Sequence, residues 1–403
     1  MARTIAIVGA SLAGVRAAEA LRDEGFEGRI RLIGDEQHAP YDRPPLSKQV
    51  LNGEWEQERA ALRVSGGGSV ADLDLDWVQG VPAVEADLRG RRVRLLDGEE
   101  VDFDGLVIAT GASSRKLATA VPAHGVHYLR TMGDCLAVRR SLIAGVGRLL
   151  VVGAGFIGSE VASAARRMGV DVCVVEPAAV PLQRALGTAV GELCARLQIA
   201  HGVDLRLGIV VEEFVASQAG QVTAARLSDG STVECDLVVI GVGARPNTDW
   251  LAGSGLDIAD GVLCDATCQA APGVVAAGDV ARWPSARFSE ILRIEHWSNA
   301  QEQGAHAGRT LHRVLNHERA DVYDPVPTFW SDQFESTIQL AGRCTSVDEI
   351  AVVDGSLEAG EVVVLYRRGD RIVGVLGIDR PKLVMRFRKL IQANASWKEA
   401  LAQ

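Results

Sequence analysis

One phrase occurs twice in this chain, and the repetition constrains the fold more than any other feature. The first copy, T-I-A-I-V-G-A-S-L-A-G over residues 4–14, is an apolar run of strand length, then a glycine cluster, then a helical pattern to about Gly25. The second copy, L-L-V-V-G-A-G-F-I-G over 149–158, is followed by a helical pattern over 159–168. Each then leads to another apolar run closing on an acid: 29–35 on Asp35, with Glu36 as the alternative, and 170–176 on Glu176. Strand, tight turn, helix and strand in that order make the βαβ unit of a doubly wound parallel sheet.

In the second copy Gly153, Gly155 and Gly158 complete G-x-G-x-x-G. Gly153 permits the tight turn, Gly155 lets backbone N–H groups approach a pyrophosphate, and Gly158 lets helix and strand pack closely, with the helix N-terminus facing phosphate charge. Glu176 can accept hydrogen bonds from ribose hydroxyls. In the first copy Gly9 and Gly14 hold the outer positions, and Ser11 replaces the middle glycine. Its Cβ limits close approach, but its hydroxyl can donate to a phosphate. The bland alternative is a Gly-rich turn in an ordinary α/β domain; the agreement of all five parts in order favours the site. Two dinucleotide sites imply two dinucleotides, most simply FAD and a nicotinamide, with electron transfer between them.

At 403 residues, 47% hydrophobic and 23% charged, the chain has room for two or three domains and a large core. A net charge of −10 argues against a general nucleic-acid binder. No apolar run reaches membrane-spanning length, and the N-terminus enters a strand without a signal peptide's apolar stretch. The seven cysteines are scattered and form no C-x-x-C pair, so they read as reduced, structural thiols of a cytoplasmic protein with no metal site.

Along the chain, P-Y-D-R-P-P-L-S-K over 40–48 is rigid by virtue of its prolines. It reads either as a wall for a planar ring, with Lys48 at the ring's polar edge, or as a surface loop with a solvated lysine. Residues 77–84 and 91–95 read as short strands, and Asp97-Gly98 as a hairpin turn. The strand over 105–111 ends in Thr110-Gly111. A second unit, 113–243, interrupts the first, repeats the hairpin signal at 228–231 and ends on Gly243. The first domain, 1–112, resumes over 244–319. Its apolar strand over 273–280 carries Gly278-Asp279, where Asp279 could bind a ribityl hydroxyl. Residues 293–303 lead into a helix to about Leu315, whose N-terminal N–H groups near Trp297 would favour the electron-rich edge of a reduced flavin. The region 320–403 reads as an α+β domain: strands at 336–341, 349–354, 361–367 and 371–377, then a helix over 381–393. Arg380, Lys382, Arg386, Arg388 and Lys389 make that helix basic, either as a solvated face or to dock an acidic partner.

The whole chain resembles the FAD-dependent ferredoxin reductases of bacterial oxygenase systems. The resemblance rests on the paired glycine motifs, 41–48, A-T-G over 109–111, A-G-D over 277–279, 293–303, and W-S-D-Q over 330–333. It implies a glutathione-reductase-like α/β fold: two Rossmann-like dinucleotide-binding domains plus a C-terminal α+β interface domain. It places Ala13 and Asp35 at the ADP half of FAD, Ala83 at adenine, Arg130 at the pyrophosphate, Lys48 near N5, Asp279 at the ribityl chain and Trp297 near the isoalloxazine. Gly9, Ser11, Gly14, Arg43, Thr110, Gly111, Gly278 and Trp330 complete the flavin set. Gly153, Gly155, Ile157, Gly158, Glu176 and Gly243 form the nicotinamide set. It also pairs Lys48 with Glu160 at the flavin–nicotinamide junction. From the residues alone, Glu160 reads as a carboxylate in the first turn of the second glycine-motif helix, where the helix dipole favours it.

Disulfide reductases of this fold carry paired redox cysteines, but here none lies between residues 36 and 60 and none is paired in the second domain. The expected activity is therefore an NADH-dependent ferredoxin reductase of EC 1.18.1 type. NADH gives a hydride to FAD, Lys48 oriented by Glu160 stabilises the reduced flavin's charge, and single electrons leave for a ferredoxin, [2Fe–2S] or rubredoxin-type, that feeds an oxygenase. Glu176, with Arg184 the first cation after it, favours NADH over NADPH. Two alternatives stand beside this reading. One is an NADH oxidase, diaphorase or quinone reductase, for which the apolar residues of 381–393 could rest on a membrane. The other is an NADH-sensing flavoprotein.

Overall fold

The computed structural model describes residues 3–403, and the chain divides into two compact units. One holds the chain up to Asp42, Ala60–Ser113 and Arg245–Pro327; the other holds Arg43–Arg59, Ser114–Ala244 and Thr328–Gln403. Residues 43–59 group with the second unit because the Pro44–Ser47 turn packs on the helices Met132–Ile143 and Phe156–Arg167. Residues 320–327 group with the first, where Tyr323 N–H donates to the Ala266 carbonyl (2.7 Å) and Asp324 accepts from the Ser285 hydroxyl (2.5 Å).

The first unit is built on a six-stranded sheet in the order Gln269–Ala271, Val274–Ala276, Gly105–Ile108, Thr4–Val8, Arg29–Gly34, Asp76–Gln79. All neighbours are parallel except the first pair. Its central strands are apolar on both faces, as a sheet covered by helices requires. The helix Leu12–Asp23 packs on Trp297–Leu315 through small residues. A Cβ on Gly304 would lie 2.4 Å from the Ala13 carbonyl oxygen, and one on Gly308 2.5 Å from that of Ala17. The run 77–84 is not one strand. Gly80, at φ 74°, and Pro82, with no N–H, break it. Asp76–Gln79 joins the parallel sheet, and Ala83–Asp87 joins a three-stranded meander with Arg92–Leu95 and Glu100–Asp102. The turn at Asp97-Gly98 links the last two strands.

The second unit repeats this plan. Five parallel strands run in the order Asp204–Leu207, Asp171–Glu176, Arg148–Val152, Leu237–Ile240, Val126–Tyr128. An antiparallel meander, Val211–Ala216, Val222–Leu227 and Thr232–Glu234, packs Phe214, Val222 and Val233 against Leu150, Val152 and Val175. Cys173 and Cys235 lie in that core, and all seven cysteines are buried and unpaired.

Residues 328–403 form a five-stranded antiparallel sheet in the order Thr328–Gln333, Ser336–Gly342, Arg371–Ile378, Val362–Arg368, Glu349–Gly355. The W-S-D-Q segment is thus itself a strand. The helix Pro381–Gln392 buries Val384, Phe387 and Ile391 and packs on two of these strands, so these three apolar side chains are spent within the protein, while Met385 stays 46% exposed. Among the described residues no helix is long and apolar enough to cross a membrane. The basic face of this helix is less free than its composition implies, because Arg380 pairs with Asp354 (3.0 Å) and Glu361 (2.5 Å).

Candidate active site

The two glycine loops are built alike. Gly9 N–H donates to the Ile33 carbonyl and Gly153 N–H to that of Val175, both at 2.8 Å. Each glycine has strongly positive φ, 119° and 102°. A side chain would be strained there and would strike the neighbouring strand's carbonyl, Ala109 O at 2.1 Å and Gly241 O at 2.5 Å. A Cβ on Gly14 or Gly158 would lie 2.0 Å from the carbonyl oxygen of Gly9 or Gly153, so each helix closes onto its own turn.

The middle position behaves differently. Gly155 and Ser11 are the N-caps of their helices in extended conformation, with φ −74° and −118°. Neither needs glycine for its backbone, which explains why serine is tolerated in the first copy. A Cβ on Gly155 would meet nothing within 4 Å. Neither helix has a side-chain cap or an acid in its first turn. Uncapped N–H groups at the positive end of a helix fit a pyrophosphate in both units, and the second also has open space at Gly155. FAD and NAD(H) are therefore compatible with the residues present.

The acids that follow differ between the copies. Glu176 ends its strand and accepts from Ala154 N–H (2.7 Å) and Ala178 N–H (2.9 Å), bracing the glycine loop. Since Ile33 stands where Val175 does, the equivalent of Glu176 is Gly34, and the acid comes one residue later, at Asp35, on the surface. Glu36 is engaged by the Tyr41 hydroxyl at 2.5 Å.

Of the residues expected at the site, the first unit contains Gly9, Ser11, Ala13, Gly14, Asp35, Ala83, Thr110, Gly111, Gly278, Asp279 and Trp297. Thr110 and Asn247 exchange hydrogen bonds: the Thr110 hydroxyl donates to the Asn247 carbonyl (2.8 Å), and the Asn247 amide to the Thr110 carbonyl (2.9 Å). Gly278 N–H donates to Gln303 Oε1 at 2.9 Å, fixing the short turn that carries the buried Asp279. Ala83 opens its meander strand. Trp297 is the first residue of its helix, and its indole N–H donates to Asp42 Oδ1 at 2.6 Å. Burial pushes the Asp42 carboxyl above its ordinary value, against the opposing effects of Trp297 and Arg16.

The second unit contains Arg43, Lys48, Arg130, Gly153, Gly155, Ile157, Gly158, Glu160, Glu176, Gly243 and Trp330. Arg43 Nη1 donates to the Arg130 carbonyl at 2.6 Å. Ile157 is 40% exposed at the second helical position, Gly243 sits at φ 99° with open space at its Cα, and Trp330 is half-buried in its strand. Lys48 and Glu160, 112 positions apart, form an ion pair with Nζ 3.0 Å from Oε1. Lys48 is not a solvated loop lysine, as its side chain is 11% exposed. Glu160 is not in the first turn either: it is the fifth residue of the Phe156–Arg167 helix, and that first turn holds no acid. Its place is set by partners instead of by the helix dipole. The Ser47 hydroxyl donates to Oε2 at 2.5 Å and the Ser331 hydroxyl to Oε1 at 2.7 Å. Burial raises the carboxyl above its ordinary value, opposed by Lys48 and both serines. Sequence reasoning missed Ser47, Ser331, Gln333 and Asn247. Ser331 and Gln333 lay inside a segment already singled out, but nothing in its pattern pointed to Glu160.

Known proteins place this architecture. Residues 3–304 match the model of the pyridine nucleotide-disulphide oxidoreductase family, and residues 328–403 match a reductase C-terminal domain. The chain is 36% identical to rhodocoxin reductase of Rhodococcus erythropolis, with 96% of this chain and 89% of the relative covered. It is 37% identical to the ferredoxin–NAD(+) reductase component of the biphenyl dioxygenase system of Paraburkholderia xenovorans, over 93% of this chain and 89% of the relative. Its fold superposes on the reductase of a covalent putidaredoxin reductase–putidaredoxin complex with a TM-score of 0.90, at 34% identity over 97% of this chain and 93% of that one. Spanning both matched models and nearly the full length of these relatives, the chain belongs to the ferredoxin reductases of bacterial oxygenase systems, within the pyridine nucleotide-disulphide oxidoreductases.

Proposed function

We propose that the protein takes a hydride from NADH and delivers the electrons singly to a ferredoxin, of iron–sulfur or rubredoxin type, that serves an oxygenase. The observation that carries this reading is the state of the cysteines. All seven are buried and unpaired, and burial pushes the thiols of Cys135, Cys173, Cys194, Cys235 and Cys264 up to about 12 and those of Cys268 and Cys344 well above their ordinary value. A thiol so far from thiolate at neutral pH neither attacks nor relays electrons. The chain therefore has no internal sulfur carrier, and the acceptor is external. Reduced, unpaired cysteines also suit a cytoplasmic protein.

FAD, when bound, supplies the conversion of a two-electron donor into one-electron steps. The protein's part is position and charge. We assign the first-unit residues around Ser11, Asp35, Asp279 and Trp297 to FAD, and the loop Gly153–Gly158 with Glu176 to NADH. Lys48 is assigned to the flavin's polar edge, where a fixed ammonium favours the negative charge gained on reduction. Glu160 holds that ammonium and needs no proton transfer of its own.

Anaerobic stopped-flow tests this. The holoprotein is mixed with NADH and then with oxidised [2Fe–2S] ferredoxin from the same cell, at two salt concentrations. Rapid flavin bleaching followed by fast ferredoxin reduction, slower at high salt, is expected for an acidic ferredoxin meeting exposed cations such as Lys382 and Lys389. Bleaching without ferredoxin reduction would overturn the assignment of the acceptor.

A further inference from the structure

Behind Glu160 lies a second hydrogen-bonded layer. Ser331 and Gln333 are fully buried, two residues apart on the strand Thr328–Gln333. Gln333 Nε2 lies 3.2 Å from Ser331 Oγ, and Ser331 Oγ lies 2.7 Å from Glu160 Oε1. A hydroxyl has one proton to give. A carboxylate at 2.7 Å is acceptor only, so the Ser331 proton must point at Glu160. Ser331 Oγ can then only accept from its other neighbour, so Gln333 must present its NH₂ and not its carbonyl. The carbonyl Oε1 is left without a hydrogen-bond partner among the described residues. Leaving a buried acceptor unmet is costly. The sequence W-S-D-Q thus tolerates one unmet acceptor to aim one proton.

We propose that Ser331, its hydroxyl aimed by Gln333, is a positioning residue that keeps Glu160 ionised and so keeps the Lys48 ammonium fixed. Burial alone drives Glu160 toward the neutral acid, and three groups oppose it: Lys48 and Ser47 from the Pro44–Lys48 segment, and Ser331 from the facing strand. The titratable group facing Glu160 is Lys48; the two serines are neutral donors. A protonated Glu160 would no longer offer Lys48 a charge, and among the described residues the other acceptor near Nζ is the Pro44 carbonyl at 3.5 Å. The consequence for the flavin rests on the proposed placement of Lys48 at its polar edge.

The test is an infrared pH titration of the holoprotein, following the protonated-carboxyl C=O band that Glu160→Gln abolishes. A hydrogen bond to a charged group corresponds to a shift of about one to two pH units. In Ser331→Ala the band's midpoint is therefore expected to rise by that much, while Ser331→Thr keeps the native midpoint. Gln333→Leu, which frees the hydroxyl to turn away, shifts it in the same direction by less, and it carries the test if Ser331→Ala does not fold. An unmoved midpoint in the folded variants overturns the proposal and leaves Ser331 a packing residue. The flavin midpoint potential, measured on the same samples, separates the two readings. A band that moves while the potential stays fixed upholds the positioning role and refutes the placement of Lys48 at the flavin.

Discussion

Glu176→Gln tests the nicotinamide assignment most sharply, because the structure separates the residue's two jobs. Its carboxylate braces the loop by accepting from Ala154 N–H at 2.7 Å and Ala178 N–H at 2.9 Å. On the proposed assignment it also brings a negative charge to the ribose at the end of this strand. Glutamine keeps one acceptor for the loop, sets its amide NH₂ against the other N–H, and removes the charge. A 2′-phosphate about 4 Å from that charge is repelled by about 4 kcal/mol at an effective dielectric of about 20. Screening with a Debye length of about 8 Å leaves about 2.5 kcal/mol at physiological salt. At about 1.4 kcal/mol per decade, the ratio of kcat/KM for NADH over NADPH should fall by about 50- to 100-fold in the variant. The assay is that ratio at low and high salt, with binding of 5′-AMP and 2′,5′-ADP as a control free of chemistry. The change should shrink as salt rises, since screening already weakens the repulsion in the native protein. An unchanged ratio in a variant of native thermal stability would refute the reasoning and move the ribose site elsewhere.

Four further substitutions probe other parts of the structure. Gly158→Ala, whose Cβ would lie 2.0 Å from Gly153 O, should destabilise the protein by about 1–3 kcal/mol in urea titrations. Gly155→Ala has open space and an ordinary φ, so it should cost less than about 1 kcal/mol while NADH affinity falls steeply; equal effects of the two substitutions would contradict the loop geometry. Lys48→Met leaves Glu160 buried without its cation and should cost about 3–5 kcal/mol, with Glu160→Gln in the same chain restoring most of it; a double variant no more stable than the single would count against the pair. Asp42 has a folded-state pKa above its ordinary 3.8, so the native state binds more protons than the unfolded state between the two values. Stability contributed at this site is then lost as pH rises through that window, and Asp42→Asn should raise Tm at neutral pH by an amount that vanishes in acid. A gain that grows on acidification would reverse the sign.

What could be read from the sequence, and what could not, divides by the distance over which each feature is encoded. The βαβ units, both hairpins and the start of the Trp297–Leu315 helix are local patterns, and they stand where their glycines and apolar periods put them. The pairing around Glu160 is not local: Lys48, Ser47 and Ser331 come from segments 112, 113 and 171 positions away, and no period or propensity joins them. Only the resemblance to a family supplied the Lys48–Glu160 pair, and Ser331 and Gln333 stayed hidden because 328–333 shows no apolar alternation that would mark it as a strand. The acids after the glycine loops are a third case, in which the pattern was visible and its meaning was not. Asp35 and Glu176 read as equivalents, yet in register Glu176 matches Gly34. A Cβ at Gly34 would lie 2.6 Å from Ala10 Cβ, so no side chain fits where the second copy places its carboxylate. The first loop is packed directly against its strand, and its acid is displaced by one residue onto the surface. The second leaves a gap that Glu176 fills with two hydrogen bonds. The same duplicated unit has thus solved the support of its turn twice, and only in the second copy is the brace also the charge proposed to face a nucleotide's ribose.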